Sequence, residues 1–580
     1  MNYQAPLNDI HFILHDVLKA PEQLNPLVCF SDIDADLIRQ VVDEAGKFVT
    51  EQIAPLQSIG DTVGCKFKDG KVTTPPGFAA AYQAFWQSGW PALGCSTEDG
   101  GQGLPTVLES VLYEMLSGAN HGWTMAPGLL HGAYECIKHH GSDTLKAQYL
   151  EKVATGEWLA TMCLTEPHAG SDLGLARTKA VAQVDGSYRV SGTKIFISGG
   201  EHDLTTNIVH LVLARLPDAP EGPKGLSLFL APKIMPDGSK NAVHCDRIEE
   251  KMGLHGSPTC VMRFDEATAW LIGEPNRGLS AMFVMMNAAR LHVGLQGIGL
   301  LEAAWQKADS YSKERRQMRA PGPRKSTQAA DLIAEHPAMR RILDTQRAWV
   351  ATGRVLAYQT ALELDLAKHH PEASRRSQAQ TWCSLVTPVL KSAWTEQAFA
   401  GSSECLQVFG GHGYVREWGI EQIVRDSRVT MIYEGTNEIQ AIDLLVRKVM
   451  ADAGAGLGSL LVRLVNDVAQ ASETAEGMAL QNQSNVLLRI TEDLLESGKL
   501  NPELPFWVAD DYLRAFSLTL MVWAGLKIKM VSQGASSAKT DNPWLETPKA
   551  LSRWVLPEFE MRCAIINRQL EETRALTSAL

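Results

Sequence analysis

The chain has 580 residues and a mass of 63.4 kDa, enough for about four domains at ~150 residues each. Hydrophobic residues make up 45% and charged residues 21%, a globular balance that excludes a disordered or fibrous protein. With 54 Lys and Arg against 66 Asp and Glu, the net charge of −12 excludes the basic footprint of a general nucleic-acid binder.

Residues 1–30 read as an N-terminal extension. It lacks a basic leader region, and His15 and Asp16 interrupt its apolar patch, so neither a secretory signal nor an Arg-rich transit peptide is expected. From 31 to 160 the pattern is helical, as in Ala35–Val42, where apolar residues recur at three and four positions. The stretch from Pro91 to Gly103 is too glycine-rich to be helix. From 161 to 275 short β-branched runs alternate with turn residues, and Asp185-Gly186 between Ala180–Val184 and Ser187–Val190 marks a hairpin. Helical periodicity returns over 276–450. Ala451–Gly458 (ADAGAGLG) reads as a linker, and 461–580 as a further helical unit broken near Pro502 and Pro557. Ten widely spaced cysteines without a CxxC predict reduced thiols, no metal centre and a cytoplasmic location. No apolar run approaches the ~18 residues of a spanning helix, so no transmembrane segment is expected.

Five segments carry candidate chemistry. Thr165–Asp172 (TEPHAGSD) offers small residues and the Ser171 hydroxyl, which suit a phosphate or the polar edge of a heterocycle as well as a plain turn. Lys194–Gly200 (KIFISGG) sets an aromatic and a hydroxyl residue before two glycines, either a platform for a flat ligand or an edge strand running into a loop. Gln407–Tyr414 has three glycines in four positions but not the GxGxxG spacing of a nicotinamide site. In Ile432–Gln440, Glu434 stands between an aromatic-apolar pair and a glycine; desolvated there, it would be a general base, and otherwise a surface Glu opening a helix capped by Thr436. Lys313–Lys325 holds six basic residues and one acid, a phosphate contact or a solvated face.

Together with PALGCSTEDGGQG, these motifs stand in the order and spacing of the acyl-CoA dehydrogenases, and the chain resembles that family over residues 31–450. With its extensions it is similar to a long bacterial subgroup that includes 3-methylmercaptopropionyl-CoA and broad-specificity fatty acyl-CoA dehydrogenases. The resemblance implies a multidomain α+β fold: a helical domain, a β-barrel or sandwich domain, a four-helix bundle and a helical C-terminal extension. It implies bound FAD and oxidation of an acyl-CoA to its trans-2-enoyl-CoA, with Glu434 removing the α-proton while the β-hydrogen goes to the flavin. Met162, Leu164, Thr165, Ser171, Phe196, Ser198, Thr436 and Glu438 match flavin-contacting positions; Phe196 and Ser198 depart from the more usual Trp and Thr. Arg315 and Gln317, with Gln407 and Gly411, match contacts to FAD across a dimer interface. Asn287, Arg290, Gly435 and again Ser171 match substrate-contacting positions.

The resemblance further implies an electron-transfer flavoprotein as acceptor and a homodimer, with an oxygen-using acyl-CoA oxidase as the enzymatic alternative. Some proteins of this fold, resembling the alkylation-response flavoprotein, bind DNA through a basic C-terminal domain. Here residues 451–580 carry twelve basic and sixteen acidic residues, the wrong sign for that role.

Overall fold

In the computed structural model, which describes residues 2–324, 326–534 and 543–578 without the side chains of Val284, Asn287, Ala288, Pro543 and residues 576–578, Asp34 opens the first long helix. Its Oδ1 accepts from Leu37 N at 2.8 Å and caps α1 (Ala35–Phe48), which buries Ile38, Val42 and Ala45 on one face. Helix α2 (Thr106–Thr124) is buried almost all round. Its first turn is held by a carboxylate from another domain: Thr106 N and Oγ1 donate to Asp365 at 2.8 and 2.7 Å. Near its end Asn120 leaves the helical conformation (φ −161°, ψ 87°) and accepts from Trp123 N, turning the segment that carries His121 and Met125. Helix α3 (Leu130–His140) follows.

The texture changes at β1 (Leu159–Cys163), two residues earlier than the sequence boundary at 161. Six more strands follow: β2 (Lys179–Ala182), β3 (Tyr188–Ser198), β4 (Ile208–Arg215), β5 (Leu226–Pro232), β6 (Val243–Ile248) and β7 (Thr259–Ile272). The order β1-β4-β2-β3-β7-β5 would be open, but β5 also pairs antiparallel with β4, closing a barrel, and β6 adds to β7. β4 and β5 are buried on both faces and so are mainly apolar, with His210 and Ser227 as buried exceptions, whereas β3 alternates. Val190, Val212, Phe229, Met262 and Phe264 fill the barrel.

Three long helices, α4 (Gly278–Ser312), α5 (Pro337–His369) and α6 (Ala373–Val408), build the second helical domain. The shorter α7 (Ile420–Arg428) and α8 (Asn437–Ile442), the latter continuing through Asp443–Val449, complete it. Ala451–Gly458 is no flexible linker. Asp452 accepts from Gly454 N and Gly456 N at 3.0 and 2.9 Å, making a tight turn, and α9 (Ala455–Asp467) begins inside the predicted spacer with Leu457 buried.

Of the C-terminal helices α10 (Ala475–Ser497), α11 (Leu504–Gly534) and α12 (Glu558–Ser578), α11 folds back onto α5, α6 and α8, and α10 and α12 pack on α11. Trp523 of α11 meets Trp382 of α6 edge to face at 5.3 Å, and Arg514 lies 4.5 Å over the Trp349 ring. No uninterrupted apolar run in the chain is long enough to span a membrane, but one helix among the described residues, Leu504–Gln533, passes as a possible span by length and composition alone. However, 78% of its apolar window is buried in protein, which accounts for its character. The N-terminal extension is tied down as well: Asp9 reaches Arg347 at 2.8 Å and joins Arg354, which is buried against Glu114 and Glu302 at 2.7 and 2.9 Å.

Candidate active site

The β-domain supplies one wall. In the TEPHAGSD loop, Glu166 is a brace. Its carboxylate accepts from Arg177 N, Thr178 N and Oγ1, and the Lys194 ammonium at 2.8 Å. Burial opposes its ionisation, yet these donors hold the carboxyl down at about 2. Lys194, itself fully buried, also donates to Leu164 O at 3.0 Å, and Ile195 N donates to Thr165 O at 2.9 Å. This pair therefore joins the end of β1, with Met162, Leu164 and Thr165, to strand β3 with Phe196 and Ser198. Between Lys194 and Ile197 the β3–β7 register slips, and Phe196 sits at the bulge with φ +59° and 60% exposure. A large aromatic so presented awaits a partner outside the barrel. Ser171 is exposed in the same loop, and Gly170 faces open space.

The second wall is helical. Glu434 sits in a left-handed turn (φ +55°) followed by Gly435 (φ +85°), where an added Cβ would stand 2.8 Å from Gln440 Nε2. Gln440 Nε2 is within bonding distance of the carbonyls of Glu434 and Gly435, at 3.2 and 3.3 Å, and Thr436 caps α8 by accepting from Ile439 N. The hydroxyl of Tyr433 donates to Gln296 Oε1 at 2.5 Å and lies 3.1 Å from His121 Nε2 and 3.8 Å from Met125 Sδ. A Cβ added at Gly199 would stand 3.3 Å from Ala126 Cβ, so the turn after α2 lies close to the Phe196 loop as well as to Tyr433 beside Glu434.

The electrostatics single out one carboxyl. Glu434 keeps some accessible surface but lies deep among protein atoms; desolvation raises it to about 7, with Arg290 and Lys391 pulling the other way. Lys391, buried in the run Leu385–Trp394 of α6, is lowered to about 7 by desolvation against the charges of Glu434 and Glu438. Arg290 stands 3.6 Å from Asp443, its Nε has no hydrogen-bond partner, and its charge acts on Glu434. Glu438 is exposed and held below the usual range by Thr436, and Glu421 is locked to Arg425 at 2.5 Å; neither resembles Glu434 in setting. Asn287 lies beside Arg290 in sequence, but its side chain is outside the described residues.

A further group lies elsewhere. Tyr311, near the end of α4, stacks on Phe409 at 4.3 Å and lies 3.0 Å from His412 Nδ1. These contacts join the helix end that leads into Arg315 and Gln317 to the Gln407–Gly411 turn. Gly410 and Gly411 face open space, whereas a Cβ on Gly413 would stand 2.6 Å from Leu406 O. Packing within the chain explains the last of these glycines but not the first two. Lys313 and Arg319 have carboxylate partners at 2.6 and 3.0 Å; Arg315 has none among the described ion pairs, and Lys325 lies outside the described residues. The 25 residues of largely helical chain from Arg290 to Arg315 span up to roughly 37 Å at 1.5 Å per residue, so the two groups are far apart in one chain.

Family models describe the same division. That for the acyl-CoA dehydrogenase N-terminal domain matches residues 36–157, that for the middle domain 161–267 and that for the C-terminal domain 276–449. The chain belongs to the acyl-CoA dehydrogenase family. It is 46% identical over 459 residues to the 3-methylmercaptopropionyl-CoA dehydrogenase of Ruegeria pomeroyi, covering 78% of this chain and 77% of that one. To the broad-specificity linear acyl-CoA dehydrogenase FadE5 of Mycobacterium tuberculosis it is 36% identical over 486 residues, covering 79% and 77%. The fold is similar to that of a Bacillus anthracis acyl-CoA dehydrogenase complexed with FAD, with a TM-score of 0.74 at 19% identity over 96% of this chain and 92% of that one.

This acyl-CoA dehydrogenase is thus a flavoprotein oxidoreductase whose cofactor is FAD. Its residues fit that group: the Thr165–Ser171 loop and the exposed Phe196 offer polar and flat surfaces, and Gly170, Gly410 and Gly411 leave open backbone. Arg315→Ala is expected to weaken FAD retention roughly tenfold or more, the scale of one hydrogen bond to a charged group. Equal FAD dissociation constants for parent and variant would make Arg315 a merely solvated cation.

Proposed function

We propose that the enzyme removes the α-proton and a β-hydrogen from an acyl-CoA thioester to give the trans-2-enoyl-CoA, with Glu434 as the base. The observation that carries this is Glu434 itself: a carboxyl raised to about 7 by burial, in a left-handed turn beside Arg290 and Lys391. Such a carboxylate is basic enough to take a weakly acidic C–H proton and is still about half ionised at neutral pH. In the step, the α-C–H bond breaks and the proton goes to a Glu434 carboxyl oxygen. Its electron pair stays on the acyl group as a developing enolate, which the site must stabilise by hydrogen bonding. Bound FAD supplies the two-electron acceptor for the β-hydrogen. Phe196 offers an exposed flat face for the flavin to cover, and the Glu166–Lys194 pair keeps Leu164 and Thr165 in place.

Acyl groups of the 3-methylmercaptopropionyl kind and linear ones are the proposed substrates, on the strength of the relatives' names. The proposed acceptor is an electron-transfer flavoprotein. The distance between the two cofactor-facing groups supports a homodimer in which Arg315 and Gln407 serve the partner's FAD. The reading is tested by a panel of acyl-CoAs, sulfur-containing and linear, assayed aerobically with and without an electron-transfer flavoprotein. Turnover that requires the flavoprotein supports it, whereas stoichiometric oxygen consumption without it makes the protein an oxidase.

A further inference from the structure

Four Lys or Arg side chains are buried among the described residues, and three of them meet a carboxylate: Lys194 with Glu166 at 2.8 Å, Arg354 with Glu114 at 2.7 Å and Arg514 with Glu558 at 2.9 Å. The fourth, Lys391, meets none within 4 Å. Its Nζ donates instead to a neutral amide, Asn437 Oδ1, at 2.9 Å. A buried ammonium answered only by an amide is costly to keep, so its placement calls for a reason.

Its surroundings supply one. Asn437 is the first residue of α8, directly after the Glu434–Thr436 turn. Its amide is docked onto α6 from three sides: Lys391 and the Thr395 hydroxyl lie 2.9 and 3.1 Å from Oδ1, and Nδ2 donates to Ser392 O at 3.1 Å. The ammonium therefore grips the helix that ends the base's turn. The charges that face this corner come from each packed element: Arg290 from α4, backed by Asp443 and Lys448; Lys391 from α6; Glu434 and Glu438 flanking the start of α8; and Asp510 from α11, beyond Glu438. His121 of α2 reaches the same turn through the Tyr433 hydroxyl. Within this set, the acids whose charges act on Lys391 are Glu434 and Glu438, and Glu438 is exposed to water.

We propose that Lys391 is a positioning residue for the base: anchored on Asn437, it fixes the Glu434 turn against α6 and keeps Glu434 in its carboxylate form until the substrate proton arrives. The inference rests on Glu434 being the base. Glu434→Gln tests that separately, since it should lose reduction at every pH.

The test is the pH dependence of anaerobic flavin reduction by saturating acyl-CoA in the FAD-loaded enzyme. Lys391→Met removes the charge and keeps the bulk. In the parent, Lys391 and Glu434 titrate together, because burial lowers the lysine to about 7. Without the lysine the rate should rise with pH through a midpoint displaced to the alkaline side by about one unit, the lower end of what a nearby opposite charge does to a carboxyl. At pH 7 the variant should be slower than the parent, and well above its own midpoint it should approach the parent rate. Lys391→Arg should bring the midpoint back toward the parent value. Asn437→Ala keeps the ammonium and loosens the anchor, so it should lower the rate at all pH values without moving the midpoint by as much. A Lys391→Met profile parallel to the parent's, whether at the same rate or uniformly slower, would overturn the proposal. If Lys391→Met yields no folded holoenzyme, Lys391→Gln carries the same measurement and the same criterion.

Discussion

Glu434→Gln is expected to retain FAD and bind acyl-CoA, yet reduce its flavin about 10²–10⁴-fold more slowly than the parent, the usual range for loss of general-base assistance. The amide fills the same volume in the left-handed turn, and the Gln440 contacts to the Glu434 and Gly435 carbonyls are unaffected because they engage the backbone. What is lost is the oxygen that accepts the α-proton. The parent should also show the base in its pH profile. Burial holds the Glu434 carboxyl near 7, and it acts only when ionised, so the rate should climb as pH rises through about 7 and level off above. The variant should lack that rise. A Glu434→Gln enzyme that bleaches at the parent rate would place the base elsewhere.

A chain ending at residue 450 is expected to aggregate or associate into larger species rather than persist as a soluble, active enzyme. Truncation removes α11, whose Phe516, Leu518, Leu520, Met521 and Trp523 are each no more than 1% exposed, and uncovers the Trp382 and Trp349 faces of the bundle. Losing one such buried aromatic typically costs about 3–5 kcal/mol, and here a whole layer goes at once. Glu363, buried and shared between Arg375 at 2.7 Å and Arg463, also loses one of its two cations. Light scattering and flavin content of the truncated chain measure this directly. A soluble, fully flavinylated dimer would show that the extension is dispensable for the bundle. For the intact chain, light scattering should give the mass of a homodimer.

What could be read in the sequence was mostly local. The glycines of TEPHAGSD, KIFISGG and QVFGGHGY and the Glu434–Gly435 pair advertise open backbone and a tight turn within a few residues, and the helix and strand periods mark the succession of domains. The brace of Glu166 by Lys194 was hidden because 28 residues separate the partners and each alone looks like a surface charge. Lys391 left a faint signal, a single charge in the otherwise uncharged run LVTPVLKSAW, but its grip on Asn437 depends on how α8 docks onto α6. The bulge that exposes Phe196 is a slip of register between two strands, which neither strand reveals by itself. The small residues of Ala451–Gly458 mark a connection between domains, but they serve a tight turn held by Asp452 as readily as an extended linker, and the sequence does not separate the two. The apolar character of α11 was plain, whereas the surface it covers, built from α5, α6 and α8, was not.

The central claim is that a flavin held by this chain accepts electrons from an acyl-CoA whose α-proton Glu434 removes. Anaerobic titration of the purified holoenzyme with acyl-CoA, followed by its flavin absorbance and by mass analysis of the thioester, tests it most directly. Bleaching of the oxidised-flavin band and a product two mass units lighter than the substrate are expected. A protein that takes up no FAD, or a flavin that stays oxidised across linear and sulfur-containing acyl-CoAs, would contradict it.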